Sequence, residues 1–414
     1  NMQLALRLCV CFTVLSYAAA QGVSCLDDSG NPVDWWSAYK LPNSAEYAFM
    51  TSASGSGWTQ SPHDLRSTYG GVIYNTLEQI YNQQATTYVM YNDEPADSTT
   101  TMYNNGHTKG VMALDSTSGF YLVHSCPKWP PPLADGYSMS SNLYDFGQSM
   151  LCISASVSTL NQVAGNWAYT DPAVYDSALG QTSGIGSISG IISGSLGGSQ
   201  QGSNVASIST LAGQSLTYMV KSSSWNQDLY MGLVAPTLQS GLQVDTWQNQ
   251  PSRIPSQCTS NGASYTVLDV SSLSVLGTTW TENQDHSKWA VVTDGGNTAC
   301  IGDINRDTTQ FSRGGGTMCM ANSALFSGFS GAVQGTFACG QSSTGQADFN
   351  TDAADTTDDQ PFSISPVVLT VFSVAAAAVG VALVAVVIVI RRRNHAKAFM
   401  TSASIPMLSE LHEV

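Results

Sequence analysis

The 414-residue chain carries 14 basic residues against 29 acidic ones, a formal net charge of −15 at pH 7 with His neutral. That balance excludes a protein that holds nucleic acid through bulk charge, because a polyanion is repelled by it at neutral pH. The length is enough for two domains of ordinary size.

In chain order, Arg7, an apolar run over 8–17 and the small residues Ala18-Ala19-Ala20 predict a signal peptide over 1–20, cut near Ala20–Gln21. The first half follows over about 23–169, with a possible helix over 71–81. Residues 177–215 are rich in Gly and Ser and read as a flexible insertion. A phosphate-cradling loop there lacks the Lys-Ser/Thr signature. The second half covers about 216–340. Residues 341–366 are Ser/Thr/Asp-rich and read as a disordered stalk. Residues 367–390 are apolar and uncharged, and at 1.5 Å per residue they reach about 36 Å, enough to span a bilayer. Arg391-Arg392-Arg393 follows and keeps the tail, 391–414, in the cytosol. The expected product is a single-pass type I membrane protein with its main domain lumenal or extracellular. Strand-like runs mixed with possible helices predict a mixed α/β fold.

The chemistry is carried by a duplicated pattern, His107-Thr108-Lys109 and His286-Ser287-Lys288. Six His and six Lys in a chain of this length give His-x-Lys about 0.09 times by chance. Each copy leads into an apolar run and a turn: 111–114 with a turn at 116–119, and 290–292 with a turn at 294–297. On a strand, alternate residues share a face, so each copy sets an imidazole beside an ammonium. Two such hairpins brought together would surround one phosphate with two His and two Lys. One imidazole would attack phosphorus, the other would protonate the leaving alkoxide, and the ammonium groups would hold the non-bridging oxygens.

These residues resemble the deoxyribonuclease II family, acid endonucleases related to the phospholipase D superfamily. The resemblance covers Asp28-Ser29-Gly30-Asn31-Pro32-Val33-Asp34-Trp35-Trp36, Tyr91-Asn92-Asp93-Glu94-Pro95 and Gly106-His107-Thr108-Lys109-Gly110-Val111. It continues through Leu122-Val123-His124-Ser125, Asp285-His286-Ser287-Lys288-Trp289, Cys300-Ile301-Gly302-Asp303-Ile304-Asn305-Arg306 and Arg313-Gly314-Gly315-Gly316. It implies metal-independent hydrolysis of DNA at acid pH, leaving 3′-phosphate and 5′-hydroxyl ends, with no cofactor and with His107 and His286 at the catalytic positions. It also implies two phospholipase D-like halves forming a pseudo-dimer, so that a monomer suffices. Of the seven cysteines past the signal peptide, it implies the pairs Cys25–Cys152, Cys258–Cys339 and Cys300–Cys319, leaving Cys126 odd. The family is usually soluble after signal removal, so the anchor is a departure; a lysosome, an endosome or the cell surface would suit it.

Other residues are expected around this centre. His124 and Asp303 each lie 17 residues after a motif histidine and are candidates for orienting it or touching phosphate. Asn305 and Arg313 are further candidates, and Arg313 with its three glycines could form a phosphate nest. Asp115 and Asp294 lie eight residues after their histidines, one more than in the superfamily, and read as hairpin-turn residues. Lys109, Lys288, Arg306 and Arg313 suggest a local basic cleft on an acidic body. Trp289 could stack on a base or pack in the core. No His/Cys/carboxylate cluster has metal-ligand spacing. The same chemistry also permits a phosphodiesterase acting on single strands or lipid, and an inherited scaffold could serve as a silent membrane receptor.

Overall fold

A computed structural model of the chain describes residues 22–341, apart from Ser56 and Asp97. The signal peptide, the stalk beyond Gln341, the span 367–390 and the tail lie outside the described residues. Among the described residues no helix is long and apolar enough to cross a membrane.

The first part of the chain forms β1 (Trp35–Lys40), β2 (Glu46–Thr51), β3 (Thr59–Asp64), α1 (Val72–Tyr81), β4 (Thr87–Asn92), β5 (Lys109–Leu114), β6 (Ser118–His124), β7 (Gln148–Ser156), α2 (Val157–Thr170) and β8 (Val174–Ala178). Its eight strands make one antiparallel sheet in the order β3-β2-β1-β7-β6-β5-β4-β8. The rest forms α3 (Gly186–Ile192), β9 (Ser203–Ser209), β10 (Ser215–Lys221), α4 (Ala235–Leu238), β11 (Leu242–Asp245), β12 (Val267–Val275), β13 (Thr278–Thr281), β14 (Trp289–Val292), β15 (Thr298–Gly302), β16 (Gly315–Ala321), α5 (Ser323–Ala332) and β17 (Val333–Thr336). The second sheet runs β13-β12-β11-β14-β15-β16-β10-β9, with β17 added beside β12. The fold is mixed α/β, with two sheets and few helices. In both sheets five antiparallel strands follow one order, β1-β7-β6-β5-β4 and β10-β16-β15-β14-β11, and a helix follows β7 as one follows β16.

Strand periodicity explains the layering. On β5, Val111 and Ala113 face one core with Val72, Leu77 and Ile80 of α1, whereas Met112 and Leu114 face a second, central core. That central core takes Tyr121, Val123 and Leu151 from the first sheet, Tyr218, Val220, Trp289, Ile301 and Met318 from the second, and the apolar stripes of α2 and α5. The opposite face of the second sheet packs Leu242, Val244, Ala290 and Val292 against Tyr230 and Val234. Each large apolar side chain removed from water in this way is worth about 1.5–3 kcal/mol. The two helices start on side-chain caps: Ser156 Oγ accepts from Thr159 N, and Asn322 Oδ1 accepts from Ala324 N and Leu325 N.

The Gly/Ser-rich stretch is ordered, not a flexible insertion. Ile188 and Ile191 of α3 are buried against α2, whose Asn161 caps α3 through Ser187 N, and β9 pairs with β10 along seven residues. Three disulfides join Cys25–Cys152, Cys258–Cys339 and Cys300–Cys319. Cys126 is a buried thiol that burial pushes up to about 12.

Candidate active site

Both His-x-Lys segments stand where the two sheets meet. The histidines do not lie on their strands, as the spacing suggested: β5 begins at Lys109 and β14 at Trp289. Their neighbouring strands end too early to supply ladder partners, since β4 stops at Asn92 opposite Lys109 and β11 at Asp245 opposite Trp289. The backbone donors turn to the other sheet instead. His107 N donates to Gly314 O at 2.9 Å, and His286 N donates to Gly147 O at 2.9 Å. Glycine is required at this junction. A Cβ on Gly106 would stand 1.9 Å from Thr170 O, and one on Gly314 would stand 2.3 Å from the same atom.

The side chains cross over in the same way. His107 Nδ1 lies 2.8 Å from Gln310 Oε1, and His286 Nδ1 lies 3.1 Å from Ser125 O. Each imidazole is oriented by a carbonyl oxygen from the other sheet's half of the chain. Lys288 Nζ donates to His286 O at 2.8 Å and sits 2.9 Å from His286 Nδ1. Lys109 Nζ pairs with Asp93 Oδ1 at 2.7 Å, while Arg313 Nη2 reaches Asp93 Oδ2 at 2.8 Å and Gly106 O at 3.3 Å. Lys109 and Asp93 are fully buried, so each depends on the other for compensation. Trp247 lies over His286 with ring centroids 5.1 Å apart, and Phe146 packs edge-on against Trp247.

Two further groups feel both motif lysines. Burial drives His124 down to about 3, with Lys109 and then Lys288 adding to the effect and the Cys126 backbone opposing it. Burial pushes the Asp303 carboxyl up to about 7, against the pull of Gly316 N, Lys109 and Lys288. The two His-x-Lys copies therefore share one electrostatic environment, with His124 and Asp303 inside it. The equal offset of 17 does not make these two equivalent. Strand register sets His124 opposite Lys109 but Gly302 opposite Lys288, because Gly110 pairs with Val123 and Trp289 with Ile301. Asp303 thus corresponds to Ser125.

The chain as a whole is similar to known nucleases. A deoxyribonuclease II family model matches residues 24–339. The chain is 34% identical to deoxyribonuclease-2-alpha of Mus musculus, over 77% of this chain and 94% of that protein. It is 36% identical to deoxyribonuclease-2 of Caenorhabditis elegans, over 76% and 93%, and 34% identical to plancitoxin-1 of Acanthaster planci, over 78% and 94%. The chain belongs to the deoxyribonuclease II family. It is a hydrolytic nuclease by that membership.

Within this family member, the remaining sequence candidates separate. Asn305 is buried near Asp303 on the segment after β15. Arg313 stands at the junction, and its glycines continue into β16 rather than forming a separate turn. Arg306 does not join the expected basic cleft: its guanidinium is buried against Asp269 at 2.7 Å and the carbonyls of Ile254 and Pro255. Trp289 is core, packed against Phe329, with Nε1 donating to Tyr39 Oη. Asp115 closes its hairpin by accepting from Thr117 N and Ser118 N, and Asp294 accepts from Gly241 N. Among the described residues no cluster of three or more His, Cys, Asp or Glu could hold a metal ion.

Sequence reasoning missed Asp93, Gln310, Ser125 and a buried acid pair behind the second motif. Ser287 Oγ donates to Asp245 Oδ2, and its N–H donates to Asp285 Oδ1. Tyr39 Oη and Trp280 Nε1 both donate to Asp285 Oδ2. Burial, and then the charge of Asp285, raise the Asp245 carboxyl well above its usual range.

Proposed function

We propose that this protein is an endodeoxyribonuclease that cuts DNA phosphodiesters in acid without a metal, through a phospho-histidine intermediate. The observation that carries the reading is the crossed orientation of the two imidazoles. Gln310 Oε1 and Ser125 O both face Nδ1. At His107 that oxygen holds hydrogen on Nδ1 and directs chemistry to Nε2; at His286, where Lys288 Nζ also stands 2.9 Å from Nδ1, the Ser125 oxygen takes that role once the ammonium turns to the phosphate. In this reading His107 Nε2, unprotonated, attacks phosphorus, and the bond from phosphorus to O5′ breaks. His286, charged, gives its Nε2 proton to O5′, releasing a 5′-hydroxyl. Neutral His286 then takes a proton from water as the water attacks phospho-His107. The P–N bond breaks, leaving a 3′-phosphate and the original His107. Lys109 and Lys288 offset charge on the non-bridging oxygens, and His124, Asp303, Asn305 and Arg313 shape the phosphate site. The two sheets act as related halves of a pseudo-dimer, one half-site each, so a monomer suffices.

Acid suits the site on two counts. Repulsion of DNA by the acidic body falls as carboxylates protonate, and Asp303, at about 7, is neutral in acid. Duplex DNA incubated at about pH 5 with a chelator is the test. Fragments should carry 3′-phosphate ends, and His107→Ala and His286→Ala should each cost about 10⁴-fold or more. Loss of cleavage on chelation refutes the metal-free mechanism. Cleavage of a phospholipid diester but not of DNA would move the protein to another substrate class. The predicted signal peptide and span 367–390 would anchor the domain on the lumenal or extracellular side. Protease digestion of intact vesicles that destroys the catalytic domain while sparing membrane-enclosed markers would contradict a lumenal placement.

A further inference from the structure

Two buried lysines outside the His-x-Lys motifs occupy matching places in the two sheets. Lys40 ends β1 and Lys221 ends β10, the strands that pair with β7 and β16. Lys40 is opposite Gln148 and Lys221 is opposite Gly315. The residues just before those partners, Gly147 and Gly314, are the ones whose carbonyls hold His286 N and His107 N.

Among the described residues neither ammonium forms an ion pair with a carboxylate. Lys40 Nζ donates to Tyr144 O and Phe146 O. Lys221 Nζ donates to Gln310 O at 2.7 Å, Phe311 O at 3.2 Å and Arg313 O at 2.5 Å. An ammonium has three donors and no acceptor, so it suits a loop whose carbonyls converge on one point. Both lysines are buried, where a charge is costly unless such bonds compensate it.

The two clamped loops are the ones that reach across to the opposite histidine. Residues 144–147 supply the Gly147 carbonyl and set Phe146 within 6.4 Å of the His286 ring. Residues 310–314 supply Gln310 to His107 Nδ1, Gly314 O to His107 N, and Arg313 to Asp93. We propose that Lys40 and Lys221 are a duplicated pair of positioning residues, each fastening the loop of its own sheet that orients the other sheet's histidine. The proposal rests on the nuclease reading for its catalytic consequence, and on geometry alone for the clamp.

Charge state fits the same role. Burial lowers both ammonium groups to about 8. Around Lys40, Cys126, Asp285 and Asp145 oppose that shift; around Lys221, Asp228 opposes it and Arg313 adds to it. In acid each lysine keeps all its protons. A neutral amine at Lys221 would turn a lone pair toward one of its three carbonyls, and at Lys40 it would keep two donors but lose the charge that strengthens both bonds, so each loop loosens.

The test uses the full chain with Lys40→Met and Lys221→Met. At about pH 5, kcat on duplex DNA should fall at least about tenfold, with KM within about threefold, because a small misplacement of the histidines costs turnover rather than binding. Folded variants with unchanged kcat overturn the proposal, as does a loss confined to KM. Amide exchange of the wild-type protein covers variants that do not fold. After correction for intrinsic rates, protection of the His107 and His286 amides should drop at least about tenfold between about pH 5 and about pH 9.5, as the lysines titrate. Protection at Val111 and Val291 should hold. Parallel behaviour of all four amides refutes the clamp. A wild-type enzyme that cuts no DNA in acid refutes the nuclease reading, while the amide result still judges the clamp.

Discussion

His124 and Asp303 share one environment but respond to acid in opposite directions, and their opposition can be measured. Asp303 has a folded value of about 7, above the unfolded value of about 3.9. Its contribution is fully present below about 3.9 and lost as pH rises through about 7. Acidifying from about pH 7.5 to about pH 5 therefore stabilises the fold by about 2.5 kcal/mol through this group. His124 has a folded value of about 3, below the unfolded value of about 6.5. Its contribution is present above about 6.5 and is lost as pH falls toward about 3. The same acidification destabilises the fold by about 2 kcal/mol. In the wild type these two nearly cancel. Asp303→Asn removes the first response, so its stability should drop on acidification by about 2.5 kcal/mol relative to the wild type. His124→Gln removes the second, so its stability should rise by about 2 kcal/mol relative to the wild type. Urea unfolding of the three proteins at both pH values reads these differences directly, and titrations common to all three, such as Asp269 at about 6, drop out. Two variants that shift in the same direction, or that both parallel the wild type, would refute the assigned charge states.

Two other substitutions separate catalysis from support. Gln310→Leu removes the acceptor that fixes the His107 tautomer; kcat should fall about a hundredfold with the fold intact, as read by steady-state cleavage and circular dichroism. Arg306→Leu leaves Asp269 buried without its cation and should cost about 3–5 kcal/mol near neutral pH. The loss should be smaller at about pH 5, where Asp269, already at about 6, takes a proton, and turnover per folded molecule should not change.

What the sequence disclosed follows from the range of the interactions involved. The α1 segment and the two hairpins after the motifs were legible because local periodicity and turn chemistry specify them. The His-x-Lys pairs were legible because they repeat. Gln310, Ser125 and Asp93 were not, since each acts on a residue that only the tertiary fold brings near, and no spacing connects position 310 to position 107. The offset of 17 reaches positions that do not correspond, for a definite reason. The second hairpin is one residue shorter than the first, so equal counting reaches the Lys109 partner, His124, in one half but steps past Gly302 to Asp303 in the other. The Gly/Ser stretch misled because its composition hid a helical stripe: Ile185, Ile188 and Ile191 recur every three residues and are all buried.

The two His-x-Lys segments precede matching strands but meet different neighbours, and this difference bears on which histidine does what. Lys109 is neutralised by Asp93, which also holds Arg313. Register carries Asp93 onto Trp247 in the second half, since Asn92 faces Lys109 while Asp245 faces Trp289. Lys288 Nζ lies 2.9 Å from His286 Nδ1, and Trp247 packs on the same imidazole. A carboxylate beside the first lysine keeps that ammonium in place whether or not substrate is present. The second ammonium lies against the imidazole it accompanies in the motif. On this asymmetry we propose that the second histidine is the proton donor and the first, beside the Lys109–Asp93–Arg313 cluster, is the nucleophile.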